Sequence, residues 1–114
     1  MKLKISEPKE KEIQQAIIQY LQLKRIFVKR LNVGGMINHS TGAYILNPNT
    51  PRGIADLLVV DEGHTIFLEI KTRKGKQSEN QKIFEVEAKQ AGADYFIVRS
   101  LDEAFDIFEE RKRA

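Results

Sequence analysis

Asp56 and the triad Glu69-Ile70-Lys71 are the residues of this chain whose types and spacing can do chemistry. Both belong to what reads as one β-hairpin. Residues 54–60 form a short apolar run, Asp61-Glu62-Gly63-His64 reads as a turn, and residues 65–71 form a second run rich in β-branched and aromatic side chains. With Glu62-Gly63 as a two-residue loop, Asp61 faces His64 and Asp56 falls directly opposite Glu69. Directly opposed Cβ atoms lie about 5 Å apart, so the two carboxylates can share one cation. Glu69 and Lys71 share a strand face while Ile70 points away. Hard carboxylate oxygens with no His or Cys beside them suit Mg²⁺, with Mn²⁺ as a substitute, and the carbonyl of Ile70 can add a third protein oxygen. An ion held there lowers the pKa of a water and polarises a phosphoryl oxygen; Lys71 can orient that water or neutralise charge on phosphorus. Those parts suit phosphodiester hydrolysis.

The elements that must hold these groups follow from periodicity and caps. Ser6 is expected to cap a first helix that runs to about Leu23, with Pro8 in its first turn and Ile13, Ala16, Ile17, Tyr20, Leu21 and Leu23 on its apolar side. A strand is expected over residues 26–33, broken by Gly34-Gly35. Between Gly34 and Gly53 the pattern suggests only a small hairpin through Ala43-Tyr44-Ile45-Leu46, and long irregular stretches of this kind are often functional. Ser78-Glu79-Asn80-Gln81 is a capping-box pattern opening a second helix that Gly92 ends. Residues 94–99 read as a further strand, and Ser100 with Glu103 opens a last helix. A helical crossover between residues 71 and 94 makes the last strand parallel to the third. The middle strands are apolar on both faces, so helices are expected over both. The expected fold class is α/β, a mixed β-sheet flanked by helices in the order αβββαβα.

The bulk numbers bound the rest. A chain of 114 residues suits one domain, 1–114, with its core over about residues 8–110. Hydrophobic content of 41% and charged content of 31% suit a soluble globule. No run of apolar residues reaches membrane-spanning length, and residues 1–6 lack the apolar core of a signal peptide. The absence of cysteine excludes disulfides and suits a reducing cytosol. A net charge of +3 is compatible with a nucleic-acid partner without requiring one. Gly75-Lys76 lacks the upstream glycine of a phosphate-binding loop, so ATP use is not expected.

Several pieces stand in order along the chain: Glu10-Lys11-Glu12-Ile13-Gln14 with Tyr20-Leu21, Arg30-Leu31-Asn32-Val33-Gly34, Arg52-Gly53-Ile54-Ala55-Asp56, Glu69-Ile70-Lys71 and Gln81. Together they resemble the VRR-NUC family of the PD-(D/E)XK nuclease superfamily, in its small stand-alone phage and bacterial form. The resemblance implies a restriction-endonuclease-like fold and a Mg²⁺-dependent DNA endonuclease acting on branched DNA such as Holliday junctions in DNA repair. It implies Asp56 and Glu69 as metal ligands, Lys71 as the catalytic lysine, Gln81 as the glutamine of the second helix that approaches the site, and a first-helix glutamate that completes the metal site. Glu10 falls inside the apolar arc of that helix and is the favoured candidate; Glu12, at the arc's edge, is the alternative. The superfamily's proline before the aspartate is Ala55 here. A homodimer is expected if two strands are cut symmetrically. The expected location is the cytoplasm of a bacterial or phage-infected cell.

Plainer readings stand beside these. Glu69 and Lys71 can be a surface ion pair at an exposed strand end, worth little. Gln81 sits where a capping-box side chain belongs, and one rotamer is not expected to serve both the cap and the site. Glu10 and Glu12 can simply favour a helix N-terminus. Arg73, Lys74 and Lys76 form a basic loop that either holds backbone phosphates or is solvated surface. Arg30, Asn32 and Arg52 are further candidates for DNA contact. His64 falls in the hairpin turn and His39 has no second histidine placed to help it. The competing functions are a structure-specific DNA-binding module that does not cleave, and a small partner-binding α/β domain that binds no nucleic acid.

Overall fold

The computed structural model describes residues 6–32, 36–37, 40–45 and 50–113. The order is α1 (Glu10–Leu23), β1 (Phe27–Arg30), β2 (Met36–Ile37), β3 (Tyr44–Ile45), β4 (Leu57–Asp61), β5 (His64–Ile70), α2 (Glu79–Gln90), β6 (Asp94–Val98) and α3 (Leu101–Arg113). Four strands form one sheet in the order β1-β4-β5-β6, and β2-β3 is a separate two-stranded ribbon. β1, β4 and β5 run as an antiparallel meander, and β6 returns parallel to β5 after α2. This is the expected mixed sheet, with the ribbon as an added piece. Among the described residues no helix is long and apolar enough to cross a membrane.

Burial follows the two periodicities of the chain. Ile13, Ile17 and Leu21 form an i, i+4, i+8 stripe on α1 and are buried. They pack with Val28, Leu57, Val59, Ile66, Leu68 and Ile70 from one sheet face, and with Ala104 and Phe108 from α3. Each such aliphatic side chain removed from water contributes about 1.5–3 kcal/mol. The opposite face is only half covered. There α2 lays Phe84 edge-on against Phe67 and beside Tyr95, and has no fully buried residue of its own. Phe27 and Val60, paired across β1 and β4, stay exposed.

Three element ends differ from expectation. Ser6 caps nothing: α1 begins at Glu10, with Lys9 at the N-cap and no side-chain cap. Pro8 disfavours helical backbone at Glu7, so the helix starts after the proline instead of around it. β1 stops at Arg30 rather than Val33, which lies outside the described residues. β4 begins at Leu57, so Asp56 stands just outside the ladder. The hairpin turn is the expected two-residue loop, with Glu62 at φ +50° and Gly63 at φ +80°. Asp61 consequently pairs with His64 and Leu57 with Leu68.

Candidate active site

The register of the hairpin carries Asp56 and Glu69 to one end of the sheet. Leu57 and Leu68 are the last paired residues there, so Asp56 and Glu69 are the next pair outward. Two bonds hold the Asp56 backbone and side chain in place. Its carbonyl accepts from the Leu31 N–H at 2.8 Å, which ties it to the end of β1. Its Oδ2 accepts from the Ile70 N–H at 2.7 Å. The ladder between β4 and β5 thus ends in a carboxylate bonded to backbone.

Glu69 is 2% exposed and is the buried charged residue among those described. Its Oε1 accepts from Gln81 Nε2 at 2.9 Å and lies 4.0 Å from Lys71 Nζ. Its Oε2 is buried with no hydrogen-bond partner. Burial first, and then the Asp56 carboxylate close enough to share a proton with it, push the Glu69 carboxyl up to about 8. Lys71 offsets this in part, and the Glu10 charge adds a small push upward. The ordinary surface ion pair is therefore not what the fold builds. Two carboxylates, one buried and one half-buried, face each other with one ammonium at their edge.

Gln81 fills both of the roles expected to exclude each other. Its Oε1 accepts from the Ser78 N–H at 2.8 Å, its own N–H donates to Ser78 Oγ at 3.2 Å, and its Nε2 still reaches Glu69. A primary amide has an acceptor end and a donor end, so one rotamer serves the cap with the first and the site with the second.

The first turn of α2 is brought to Asp56 by a close backbone approach. Gly53 adopts φ +74°, and a Cβ on it would collide with the Asn80 carbonyl group and come within 2.7 Å of the Gln81 nitrogen. Glu10 and Glu12 are both exposed in the first turn of α1, and the Glu10 charge is felt at Glu69. No group of three His, Cys, Asp or Glu side chains stands close enough to hold an ion among the described residues. The convergent carboxylates are the pair Asp56 and Glu69. Their hard oxygens, their mutual repulsion and the unpartnered Oε2 fit a divalent cation.

Arg30, Asn32, Arg52, Arg73, Lys74 and Lys76 are all exposed. Arg30 ends β1 opposite Leu57, and the basic loop follows β5, so both border the same end of the sheet. Arg73 pairs with Glu7 at 3.1 Å, an exposed contact of little energetic weight. His64 is exposed beside Asp61, away from the carboxylates, and His39 lies outside the described residues. A cavity of about 700 Å³ opens between α2 and the β4–β5 turn, but neither Asp56 nor Glu69 lines it.

Two residues escaped the sequence reading. Arg99 donates to the carbonyls of Thr72 and Gly75, both at 2.7 Å, and more weakly to that of Arg73 at 3.3 Å. Gln77 donates to Glu85 at 3.0 Å and to the buried Tyr95 hydroxyl at 3.2 Å. The parallel crossover carried a signal for Arg99, since pairing Ile70 with Val98 sets residue 99 beside residue 71.

No family model matches this chain, and no curated protein sequence does. A solved structure described as a VRR_NUC domain superposes with a TM-score of 0.64 over 88% of this chain and 94% of that one, at 22% sequence identity. The chain has the fold of that domain.

Proposed function

We propose that this protein is a divalent-metal-dependent DNA endonuclease. The observation that carries the reading is the buried Glu69 carboxylate, with one oxygen unpartnered, set against Asp56 and within 4.0 Å of Lys71. Setting a second acid against the buried Glu69 is costly unless a shared proton or a cation joins them, and a structural ion pair with Lys71 does not need that second acid. The likeness to a VRR_NUC domain supports the same reading.

In this reading Asp56 and Glu69 hold Mg²⁺, with the Ile70 carbonyl as a further oxygen. The ion supplies Lewis acidity toward a phosphoryl oxygen and a lowered pKa for the attacking water. The chain's own residues do the rest. Asp56 is held in place by the Ile70 N–H, and Glu69 is aimed by the Gln81 amide. Lys71 offsets the charge that gathers on the phosphate oxygens as water attacks in line, and its ammonium orients that water. Arg30, Asn32, Arg52, Lys74 and Lys76 hold flanking phosphates, which positions a strand without reading its sequence. Branched DNA, such as a four-way junction, is the proposed substrate. One site cuts one strand, so symmetric cutting takes a homodimer.

The test is cleavage of a labelled four-way junction and of plain duplex with Mg²⁺ by wild type, Asp56→Ala, Glu69→Ala and Lys71→Ala. Loss of about 100-fold or more is expected for each variant. Undiminished cutting by any of them rejects the assigned site. That no third acid converges on the pair among the described residues favours one competitor, a module that binds DNA without cutting it. That reading predicts salt-dependent binding indifferent to Asp56→Ala and no metal-dependent cutting.

A further inference from the structure

We propose that Arg99 is a positioning residue that fixes the Lys71 ammonium by clamping the loop that follows it. The inference rests on the nuclease reading for the role of Lys71, and on geometry alone for the clamp. The chain leaves β5 at Ile70, and the Lys71 N–H makes one more sheet-like bond, to the Val98 carbonyl at 3.0 Å. Beyond it the loop has no partner strand, and its carbonyls must find donors or water. Arg99 supplies them. One guanidinium nitrogen bonds Thr72 and Gly75 at 2.7 Å each, and Gly75 also donates its N–H to the Thr72 carbonyl at 3.1 Å. The loop is thereby closed into a tight turn on a charged centre.

The turn packs back on Lys71. A Cβ at Gly75 would stand 3.4 Å from Lys71 Cδ and 3.5 Å from its Cβ, so the stem of the lysine runs directly beneath this residue. Only 14% of the lysine side chain is exposed. The turn covers the lysine stem and restricts the paths open to it, and its ammonium stands 4.0 Å from Glu69 Oε1. All of these bonds leave one nitrogen, Nη1, so Arg99→Lys, whose single nitrogen carries three donors, is expected to keep part of the clamp that Arg99→Gln loses. Arg99 itself is anchored, since its N–H donates to Glu103 Oε2 at 2.8 Å.

The experiment compares wild type, Arg99→Gln, Arg99→Lys, Lys71→Ala and the double variant Arg99→Gln with Lys71→Ala. Thermal melts establish that each is folded. Amide hydrogen exchange at Thr72 to Lys76 reads the clamp, and junction cleavage with Mg²⁺ reads the role. Arg99→Gln is expected to speed exchange in that loop at least tenfold and leave β5 and β6 unchanged. It is expected to lower kcat by about 100-fold with KM nearly unchanged, the size of effect a displacement of about 1 Å produces. In the Lys71→Ala background it is expected to lower kcat no further, and added guanidinium is expected to restore part of the Arg99→Gln loss. Loop exchange that does not change overturns the clamp whether or not the protein cleaves DNA. Additive losses in the double variant overturn the action through Lys71. Failure of wild type to cleave any substrate, with loop exchange responding as expected, removes the nuclease reading and with it the role assigned to the clamp.

Discussion

Glu69 is a carboxylate that its surroundings keep from ionising. Its folded pKa stands near 8 against an ordinary value of 4.5. Between those values the folded chain holds a proton that the unfolded chain has lost, so this group's contribution is complete below about 4.5 and disappears as pH rises through 8. Metal-free protein is therefore expected to melt several degrees lower at about pH 8.5 than at about pH 5.5, the span across which this proton is lost. Glu69→Gln keeps the shape without the charge, and it is expected to flatten that dependence and to melt above wild type at the higher pH. Mg²⁺ is expected to raise the wild-type melting temperature at high pH, where the site is charged, and to leave the Gln variant unmoved. Scanning calorimetry across pH measures both. A wild-type stability that rises from pH 5.5 to 8.5 by the same amount as in the variant contradicts the burial argument.

The elements explain why two acids distant in the sequence meet. The hairpin sets one residue opposite another by its turn alone, and Gly63 is where that turn needs positive φ. Gly53 does a different task, since backbone of α2 fills the space a side chain would take. The two glycines separate these effects. Gly63→Ala meets nothing within 4 Å and is expected to cost about 1–2 kcal/mol from backbone conformation alone. Gly53→Ala adds a collision with Asn80 and is expected to cost about 2–5 kcal/mol, with Mg²⁺ affinity falling as Asp56 and Gln81 part. Urea unfolding and metal titration compare them; equal costs contradict the close approach. The hairpin, its register and both helices after it were legible because their signals are local: short apolar runs, a two-residue turn, a Ser-x-x-Gln box. The start of α1 was misread because Ser6 resembles a cap, while Pro8 two residues later decides where helical backbone can begin. The end of α1 at Leu23 was legible from the apolar spacing, although no glycine marks it. Arg25 takes the left-handed conformation at φ +60°, where a glycine is the expected mark.

At the scale of the molecule, one end of the sheet gathers the acids, the lysine and the basic residues, while the far end leaves Phe27 and Val60 bare. That polarity was only partly legible. Asp56, Glu69 and Lys71 were readable from one hairpin, but the clamp from Arg99 and the two-ended use of Gln81 depend on the crossover and on a helix docking against the site. On the proposed reading the exposed lysines of the loop act as phosphate contacts. Lys74→Ala and Lys76→Ala are each expected to weaken binding to every DNA shape alike and to reduce the slope of log affinity against log salt by about 1. Filter binding over a range of salt checks this, and an unchanged slope makes the loop mere surface. The account as a whole depends on an ion joining Asp56 to Glu69. The most direct measurement is anomalous diffraction from crystals soaked in Mn²⁺. A single strong peak within ligand distance of both carboxylates is predicted, absent in Glu69→Gln crystals; density at neither acid, or at one with the other turned away, contradicts it.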